Sequence, residues 1–147
     1  MKPVLQALLL ADKIYDDRAT GKKVIAGTFN RMLIAKNVAL KQAEDSEGNK
    51  TIRMPGGMEA GSPSAYFSVT ECRGQRRFVL RYVDLSDDKV YLSTEITVEC
   101  DDPLRTVEAV LPMPRLPTPH PGVFALELLC DDEPVGALRI QVEEIEI

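Results

Sequence analysis

Four pairs of adjacent aspartates are the residues of this chain that could bind a metal ion. They are Asp16–Asp17, Asp87–Asp88, Asp101–Asp102 and Asp131–Asp132. Each pair falls in a segment predicted to be a turn, where aspartate is favoured because its side chain accepts hydrogen bonds from nearby backbone N–H groups. If successive strands alternate in direction, three of the pairs lie at one end of the fold, where their carboxylates could bind calcium. We favour turn chemistry; the calcium hypothesis names Asp16, Asp17, Asp101, Asp102, Asp131 and Asp132.

Nucleophilic catalysis has few candidate residues. His120 is the only histidine, and it lies between Pro119 and Pro121 with no carboxylate or thiol adjacent in the sequence. A general base needs a hydrogen-bonded nucleophile and an orienting partner. We therefore interpret His120 as a structural or surface residue, and the sequence predicts neither a catalytic residue nor a cofactor.

The three cysteines are Cys72, Cys100 and Cys130. An odd and sparse set without CxxC spacing is typical of reduced thiols rather than of a disulfide-rich scaffold or a zinc site. The cysteines therefore predict a cytoplasmic protein. A Cys100–Cys130 bridge is an alternative that requires their two strands to be neighbours.

Two features could contact a protein partner. Arg73, Arg76, Arg77 and Arg81 form a basic cluster around one predicted hairpin, which could bind an acidic partner or simply be a solvated hairpin tip. Tyr91 has the opposite parity from the core residues of its strand, so it is predicted to be exposed and is the best single interface candidate. The interface hypothesis names Tyr91, Arg77 and Arg81.

A proline-rich connection, residues 112–122, joins the predicted strand at 106–111 to the terminal hairpin. Within it, Pro114-Arg-Leu-Pro117 has the PxxP pattern that SH3-like grooves bind. Such a stretch more often forms a stiff crossover between sheets, because proline lacks the N–H group that sheet pairing needs. We favour the crossover.

Alternating apolar residues predict the strands that carry all these side chains. In the last part of the chain, residues 122–130 and 135–142 alternate on either side of a polar turn, as in a β-hairpin buried on one face. The same pattern predicts strands at about 3–12, 22–35 with a kink near Gly27 or Asn30, 65–72, 76–85, 90–100 and 106–111. Residues 37–62 are charged and then glycine-rich, and they are predicted to form a long exposed loop or arm with a short edge strand near 51–54.

The N-terminal segment 4–11 is apolar and follows Lys2. Eight residues cannot cross a bilayer and no small-residue cleavage site follows them, so no membrane span or signal sequence is predicted. We interpret the segment as a buried strand, with a short helix as the alternative.

Length and charge limit the possible functions. A chain of 147 residues is predicted to form a single domain, 1–147, that can bury a sizeable core. Its net charge of −5 and pI of about 5.0 disfavour nucleic acid and anionic membranes as partners.

Four stretches of the chain carry a resemblance to a known family. They are residues 8–12, 21–29, 78–85 and 121–136. Together they resemble an uncharacterised bacterial family of small β-sandwich proteins, which is described as a domain of unknown function. The resemblance implies an immunoglobulin-like sandwich and no known activity, ligand or catalytic residue. It also implies glycine at the turn position that Asp132 occupies here.

These observations predict an all-β protein, an immunoglobulin-like two-sheet antiparallel β-sandwich of eight or nine strands with one long irregular loop. The leading hypothesis for its function is a non-enzymatic module for protein binding or assembly, with an unknown protein or a second copy as the partner. Calcium-dependent ligand or membrane binding through the aspartate loops is the first alternative. A hydrolase that uses scattered carboxylates is the second.

Overall fold

The computed structural model describes residues 2–36, 42–44, 50–52 and 62–146, and its regular elements are all β-strands. The strands are β1 (Val4–Asp16), β2 (Lys23–Phe29), β3 (Arg31–Lys36), β4 (Gln42–Glu44), β5 (Lys50–Ile52), β6 (Ser64–Thr70), β7 (Gly74–Asp84), β8 (Lys89–Cys100), β9 (Val107–Pro112), β10 (Gly122–Cys130) and β11 (Glu133–Glu146). None of the described residues belongs to a helix that could cross a membrane.

Nine of these strands form two sheets. Sheet A has the order β2-β1-β6-β9 and is antiparallel throughout, whereas sheet B has the order β3-β11-β10-β7-β8. The predicted all-β sandwich is confirmed, and β4 pairs with β5 in a separate hairpin within the predicted 37–62 loop, most of which lies outside the described residues.

Sheet B departs from the antiparallel prediction at one strand pair. The chain leaves sheet A after Phe29 and joins the edge of sheet B as β3, parallel to β11, where the Gln141 N–H donates to the Asn30 carbonyl at 2.9 Å. The predicted kink at Asn30 is therefore a break between two strands of different sheets. Local sequence cannot specify a parallel pair of this kind, because the partner strand lies more than a hundred residues away.

The core lies between the two sheets and follows the predicted alternation. The inward-facing side chains of sheet B include Phe78, Leu80, Tyr82, Phe124, Leu126, Leu128 and Ile140, and they pack with Leu10, Phe67 and Val69 of sheet A. Burying one such side chain contributes about 1.5–3 kcal/mol. The predicted N-terminal strand is confirmed, but it continues to Asp16, four residues beyond its predicted end.

The proline-rich segment 113–121 closes the sandwich between β9 and β10. Met113 and Leu116 are 2% and 6% exposed and belong to the core. The Met113 N–H donates to the Pro63 carbonyl at 2.9 Å, and the buried Tyr82 hydroxyl donates to the Pro117 carbonyl at 2.9 Å. The crossover interpretation is confirmed, and in this conformation the Pro114–Pro117 motif is fixed against the core.

A disulfide joins Cys72 to Cys100, with their Cα atoms 5.7 Å apart. The prediction of three reduced thiols is therefore wrong. Cys72 follows β6 and Cys100 ends β8 beside Gly74, so the bond ties sheet A to sheet B. The alternative Cys100–Cys130 bridge is also wrong, because β7 separates β8 from β10.

Candidate interaction surface

The aspartate pairs act mainly within turns. Asp17 accepts from the Ala19 N–H and the Thr20 hydroxyl, both at 3.0 Å, while Asp102 accepts from the Leu104 N–H at 2.9 Å. Across the part of the chain that the structure describes, no three histidine, cysteine or acidic residues are grouped as metal ligands would be. Calcium binding stays a prediction, and turn chemistry accounts for the hydrogen bonds these aspartates make.

The predicted convergence of three pairs at one end of the fold is wrong. Val4 pairs with Thr70, and the next residue, Glu71, donates its N–H to the Pro103 carbonyl at 3.0 Å, so Asp102 lies near the start of β1. Asp16 lies at the other end of the same strand, about 40 Å away if β1 is straight at about 3.3 Å per residue. Counting strand reversals failed because the single strand predicted at 22–35 is two strands, β2 and β3, and the chain reverses direction between them.

The β10–β11 turn binds two of the predicted arginines. Asp131 accepts from Arg76 Nε at 2.5 Å and from the Arg77 N–H at 3.1 Å, and Arg77 also contacts Asp132 and Glu95. The Arg77 N–H and the Arg76 guanidinium hold the pKa of Asp131 below its ordinary value. This part of the predicted basic cluster is therefore neutralised within the chain.

Arg81 lies farther along β7 on the same face as Arg77. Its Nε donates to Glu127 on β10 at 2.8 Å, and the two side chains are 40% and 30% exposed. Arg77 and Arg81 as interface residues remain predictions, since each is exposed enough to contact a partner.

Tyr91 does not have the orientation predicted from parity. Tyr82 pairs with Leu92 and Val83 pairs with Val90, so a bulge at Tyr91 shifts the alternation of β8. The Tyr91 ring is half-buried and packs against Tyr82 and Phe124, with the Lys89 ammonium 4.8 Å from its centroid. The bulge turns Val90 outward, and Val90 is 44% exposed. A role for Tyr91 in an interface remains a prediction.

His120 forms a pair that its sequence neighbours did not indicate. Nε2 lies 2.5 Å from Oδ2 of Asp84, which is fully buried, and Nδ1 lies 2.7 Å from the Pro121 carbonyl. The carbonyl of Pro121 and the carboxylate of Asp84 raise the pKa of His120. Hydrogen bonds from the Ser86 hydroxyl and N–H, and from His120, lower the pKa of Asp84.

This geometry suits a structural clasp rather than a catalytic base. Both imidazole nitrogens face acceptors, so the ring donates to both only in its doubly protonated form. A general base needs one nitrogen turned toward the group it deprotonates. The His120–Asp84 pair therefore fastens the end of the crossover to the end of β7.

The remaining thiol is also inert. Cys130 is buried, and desolvation raises its pKa, which lowers the fraction of nucleophilic thiolate. The described chain thus places its histidine and its free cysteine in structural positions.

A cluster of exposed apolar side chains distinguishes one part of the surface. Leu85, Val90 and Val123 are 39%, 44% and 39% exposed and lie on the outer face of sheet B. The Leu85 N–H donates to the Val123 carbonyl at 3.1 Å, and Val90 is paired with Val83. We call these three residues the apolar patch. Among the residues that the structure describes, the other large exposed apolar side chains are apart from it, with Val4 and Tyr15 near opposite ends of β1 and Leu104 in a turn.

Sequence reasoning missed the apolar patch and Asp84. The missed signal is the composition of β7 and β10, which carry apolar residues at both parities, as in Phe78-Val-Leu80, Tyr82-Val83 and Val123-Phe-Ala-Leu126. Continuous apolar runs are typical of strands that are covered on both faces. The inner faces form the core, and on the outer faces Val83, Ala125 and Leu129 are also buried, whereas Leu85, Val90 and Val123 are exposed.

Comparison with curated proteins finds no match. A family model described as "Family of unknown function (DUF6941)" matches residues 54–143, which is more than half of the chain. The matched region runs from before β6 into β11 and includes β7, β8 and β10 of sheet B. The chain therefore belongs to the family of unknown function DUF6941.

Proposed function

We propose that this protein is a non-enzymatic module for protein binding or assembly, and that it binds through the outer face of sheet B. The observation that carries the proposal is the apolar patch of Leu85, Val90 and Val123. Clustered apolar side chains on a surface mark interaction sites, whereas single exposed ones are common everywhere.

The rest of the described surface supports the same proposal. The aspartates near the β10–β11 turn are paired with Arg76 and Arg77, and His120 is paired with Asp84. Such internally paired groups form turns and clasps and leave little free chemistry for catalysis. Nucleic acid is not proposed as a partner, because a net charge of −5 opposes binding to phosphates.

The location of the protein is a second part of the proposal. Cytoplasmic residence, the expectation from sparse cysteines, stays a prediction, and the Cys72–Cys100 disulfide favours an oxidising compartment instead. Acid quenching of cells followed by alkylation and intact-mass measurement counts the free thiols. One alkylated cysteine favours the oxidising compartment, and three favour the cytoplasm.

Site-specific photocrosslinking in the native cells tests the binding proposal. A photoreactive amino acid replaces Val123, and a matched variant carries it at Thr28, which is exposed on sheet A. We expect adducts of defined mass from position 123 and none from position 28. Absence of any adduct at position 123, or equal labelling at both positions, would contradict the proposal.

A further inference from the structure

A small recess lies beside the apolar patch on the outer face of sheet B. It has a volume of about 220 Å³ and is lined by Asn30, Arg139 and Gln141. The edge strand β3 begins at Arg31, level with Gln141, so it does not reach Arg139, which lies two residues earlier on β11. This step at the edge of the sheet forms the recess. We call the three lining residues the edge recess.

The edge recess is next to two residues of the apolar patch. Gln141 pairs with Val123, and the Leu85 N–H donates to the Val123 carbonyl at 3.1 Å. Because adjacent strands are about 4.8 Å apart, the backbone of Val123 is about 5 Å, and that of Leu85 about 10 Å, from Gln141 across the sheet. Ala125 and Val83 are buried, so a partner at this end of the sheet contacts the exposed side chains of Val123 and Leu85.

Arg139 supplies the charge of the edge recess. Three other arginines of this face bind carboxylates within the chain: Arg31 binds Glu143, Arg77 binds Glu95 and Asp132, and Arg81 binds Glu127. Among the residues that the structure describes, no acidic side chain binds Arg139, which is exposed. Acidic residues outnumber basic ones by 23 to 18 in the sequence, so this exception does not reflect a shortage of carboxylates. The guanidinium of Arg139 can therefore bind an anion from outside the chain.

From this arrangement we infer that the edge recess binds the C-terminal carboxylate of a partner protein, whose last residues place apolar side chains on Val123 and Leu85. The inference rests on the proposed function and names the part of the partner that is bound. An arginine holds a carboxylate through two parallel N–H···O bonds. The side-chain amides of Asn30 and Gln141 can donate further hydrogen bonds to the same oxygens.

The size and charge of the edge recess favour a carboxylate over other anions. Pockets for whole small molecules are typically about 300–1,000 Å³, so a recess of about 220 Å³ suits a terminal group. A phosphate monoester carries about −1.5 to −2 charges, whereas Arg139 supplies one positive charge and the two amides are neutral. A carboxylate has the single negative charge that matches this set of donors.

The position of the edge recess favours the end of a chain. In an extended segment, side chains on one side are about 6.6 Å apart. When the terminal carboxylate lies at Arg139, the last side chain reaches Val123 and the third from last reaches Leu85. Asn30 bounds the recess on the side away from Val123, where its carbonyl accepts from the Gln141 N–H at 2.9 Å. A partner chain that ends in the recess does not have to pass Asn30.

A matched pair of peptides tests this inference. The carboxylate peptide is N-acetylated Gly-Ser-Leu-Ser-Leu with a free C-terminus, and the control is the same peptide as a C-terminal amide. NMR titration of the ¹⁵N-labelled full chain measures the affinity and locates the site. We expect the carboxylate peptide to shift the resonances of Asn30, Arg139, Gln141 and Val123. It should bind roughly tenfold or more tightly than the amide, because hydrogen bonds to a charged group are the strong ones.

A variant of the recess and a matched variant elsewhere on the same face isolate the charge. We expect Arg139→Gln to weaken binding of the carboxylate peptide about tenfold or more and to leave binding of the amide unchanged. Val83 is level with Arg139, and Arg77 lies six residues from it along β7, about 20 Å away. Arg77→Gln therefore removes the same charge at a distance and should bind as the wild type does. Thermal unfolding checks that both variants fold.

Three results would overturn the inference. They are equal binding of the carboxylate and amide peptides, no binding of the carboxylate peptide up to about 1 mM, and equal weakening by Arg77→Gln and Arg139→Gln. Titration with sodium octanoate adds a fourth comparison. If octanoate binds and the carboxylate peptide does not, the recess takes apolar acids other than peptide ends, and the inference is wrong.

Crosslinking at position 123 separates this inference from the proposed function. We expect the crosslinked fragment of the partner to contain its C-terminus, which mass spectrometry of the digested adduct identifies. An adduct with an internal segment of a partner protein leaves the binding function standing and contradicts the C-terminal inference. Absence of any adduct at position 123 contradicts the proposed function itself.

Discussion

The two ends of sheet B carry different kinds of side chain. At one end, the start of β7 and the β10–β11 turn bring Arg76 and Arg77 against Asp131 and Asp132, and the Cys72–Cys100 disulfide fixes the end of β8. At the other end, the outer face exposes the apolar side chains of Leu85, Val90 and Val123. We call these the fixed end and the apolar end.

The difference shows which side chains already bind groups within the chain and which are left exposed to water. At the fixed end, charged side chains bind each other and a covalent bond joins the sheets, so the chain needs no partner there. At the apolar end, the side chains of Leu85, Val90 and Val123 have no polar groups to hydrate, and their burial by a partner is favourable at about 25 cal/mol per Å². Variants at the two ends should therefore affect different properties, stability at one and association at the other.

The largest expected effect comes from removing the covalent bond at the fixed end. The disulfide closes a loop with a sequence separation of 28 residues, and loops of this size are expected to contribute about 3–4 kcal/mol by restricting the unfolded chain. We expect the Cys72→Ala, Cys100→Ala double variant to lose about that free energy of unfolding. Urea denaturation with and without a reductant measures it.

The same experiment contains its own control. Reductant should lower the stability of the wild-type protein toward that of the double variant and leave the double variant unchanged. If reductant has no effect on the wild type under conditions in which thiol counting shows full reduction, the disulfide does not stabilise the fixed end.

The second prediction concerns pH and the His120–Asp84 clasp at the apolar end. The folded-state pKa of His120 is raised by the Pro121 carbonyl and Asp84, so the clasp contributes its full stability below the unfolded pKa of about 6.5. That stability is lost as the pH rises through the higher folded pKa. We expect the difference in unfolding free energy between wild type and His120→Gln to shrink as the pH rises from 6 to 9.

Glutamine is the appropriate replacement because its amide can still donate to Asp84 but carries no charge. At acid pH, the lowered pKa of Asp84 also affects stability. The stability that the Asp84 carboxylate contributes is present above about pH 3.8 and is lost as the pH falls through its folded-state pKa. Asp87 is the other charged group that raises the pKa of His120. Parallel stability curves for the two proteins between pH 6 and 9 would show that the clasp is not ionised.

The sequence predicted what depends on local patterns. Alternation gave the strands of both sheets within a few residues, and the prolines of 114–119 correctly indicated a crossover. The resemblance to an uncharacterised family, carried by four stretches of the chain, is also confirmed. The strands and the crossover depend on side-chain periodicity and on backbone restrictions, which neighbouring residues largely determine.

The features that the sequence did not predict depend on contacts between distant segments. Cys72 meets Cys100, and Asp84 meets His120, only because the sheets bring them together. The bulge at Tyr91 shifts the parity of β8 by one residue, which reverses the predicted orientations of Tyr91 and Val90. No local sequence rule predicts where a single extra residue is inserted into a pair of β-strands.

The third prediction tests the turn at the fixed end. Asp131 and Asp132 have φ angles of 47° and 69°, so this two-residue hairpin loop has positive φ at both positions, a geometry in which glycine at the second position is favoured. We expect Asp132→Gly to stabilise the protein by about 0.5 kcal/mol, since relief of backbone strain exceeds the loss of an exposed ion pair with Arg77. Thermal unfolding measures the change.

Asp132→Asn separates the two contributions in that turn. Asparagine tolerates positive φ but removes the charge, so its effect reports the ion pair alone. A glycine variant no more stable than the asparagine variant would contradict the assignment of strain to this position.

The last pair of variants gives the sharpest comparison of the two ends. Arg77→Ala removes exposed ion pairs at the fixed end and should cost no more than about 1 kcal/mol of stability, with no effect on association. Val123→Ser at the apolar end should change stability by about 0.5 kcal/mol or less, yet weaken association about tenfold by removing apolar contact area. Unfolding curves and titration with the carboxylate peptide on both variants measure the two properties. If Arg77→Ala weakens association as much as Val123→Ser does, the binding surface extends to the fixed end, and the division of sheet B into two kinds of end is wrong.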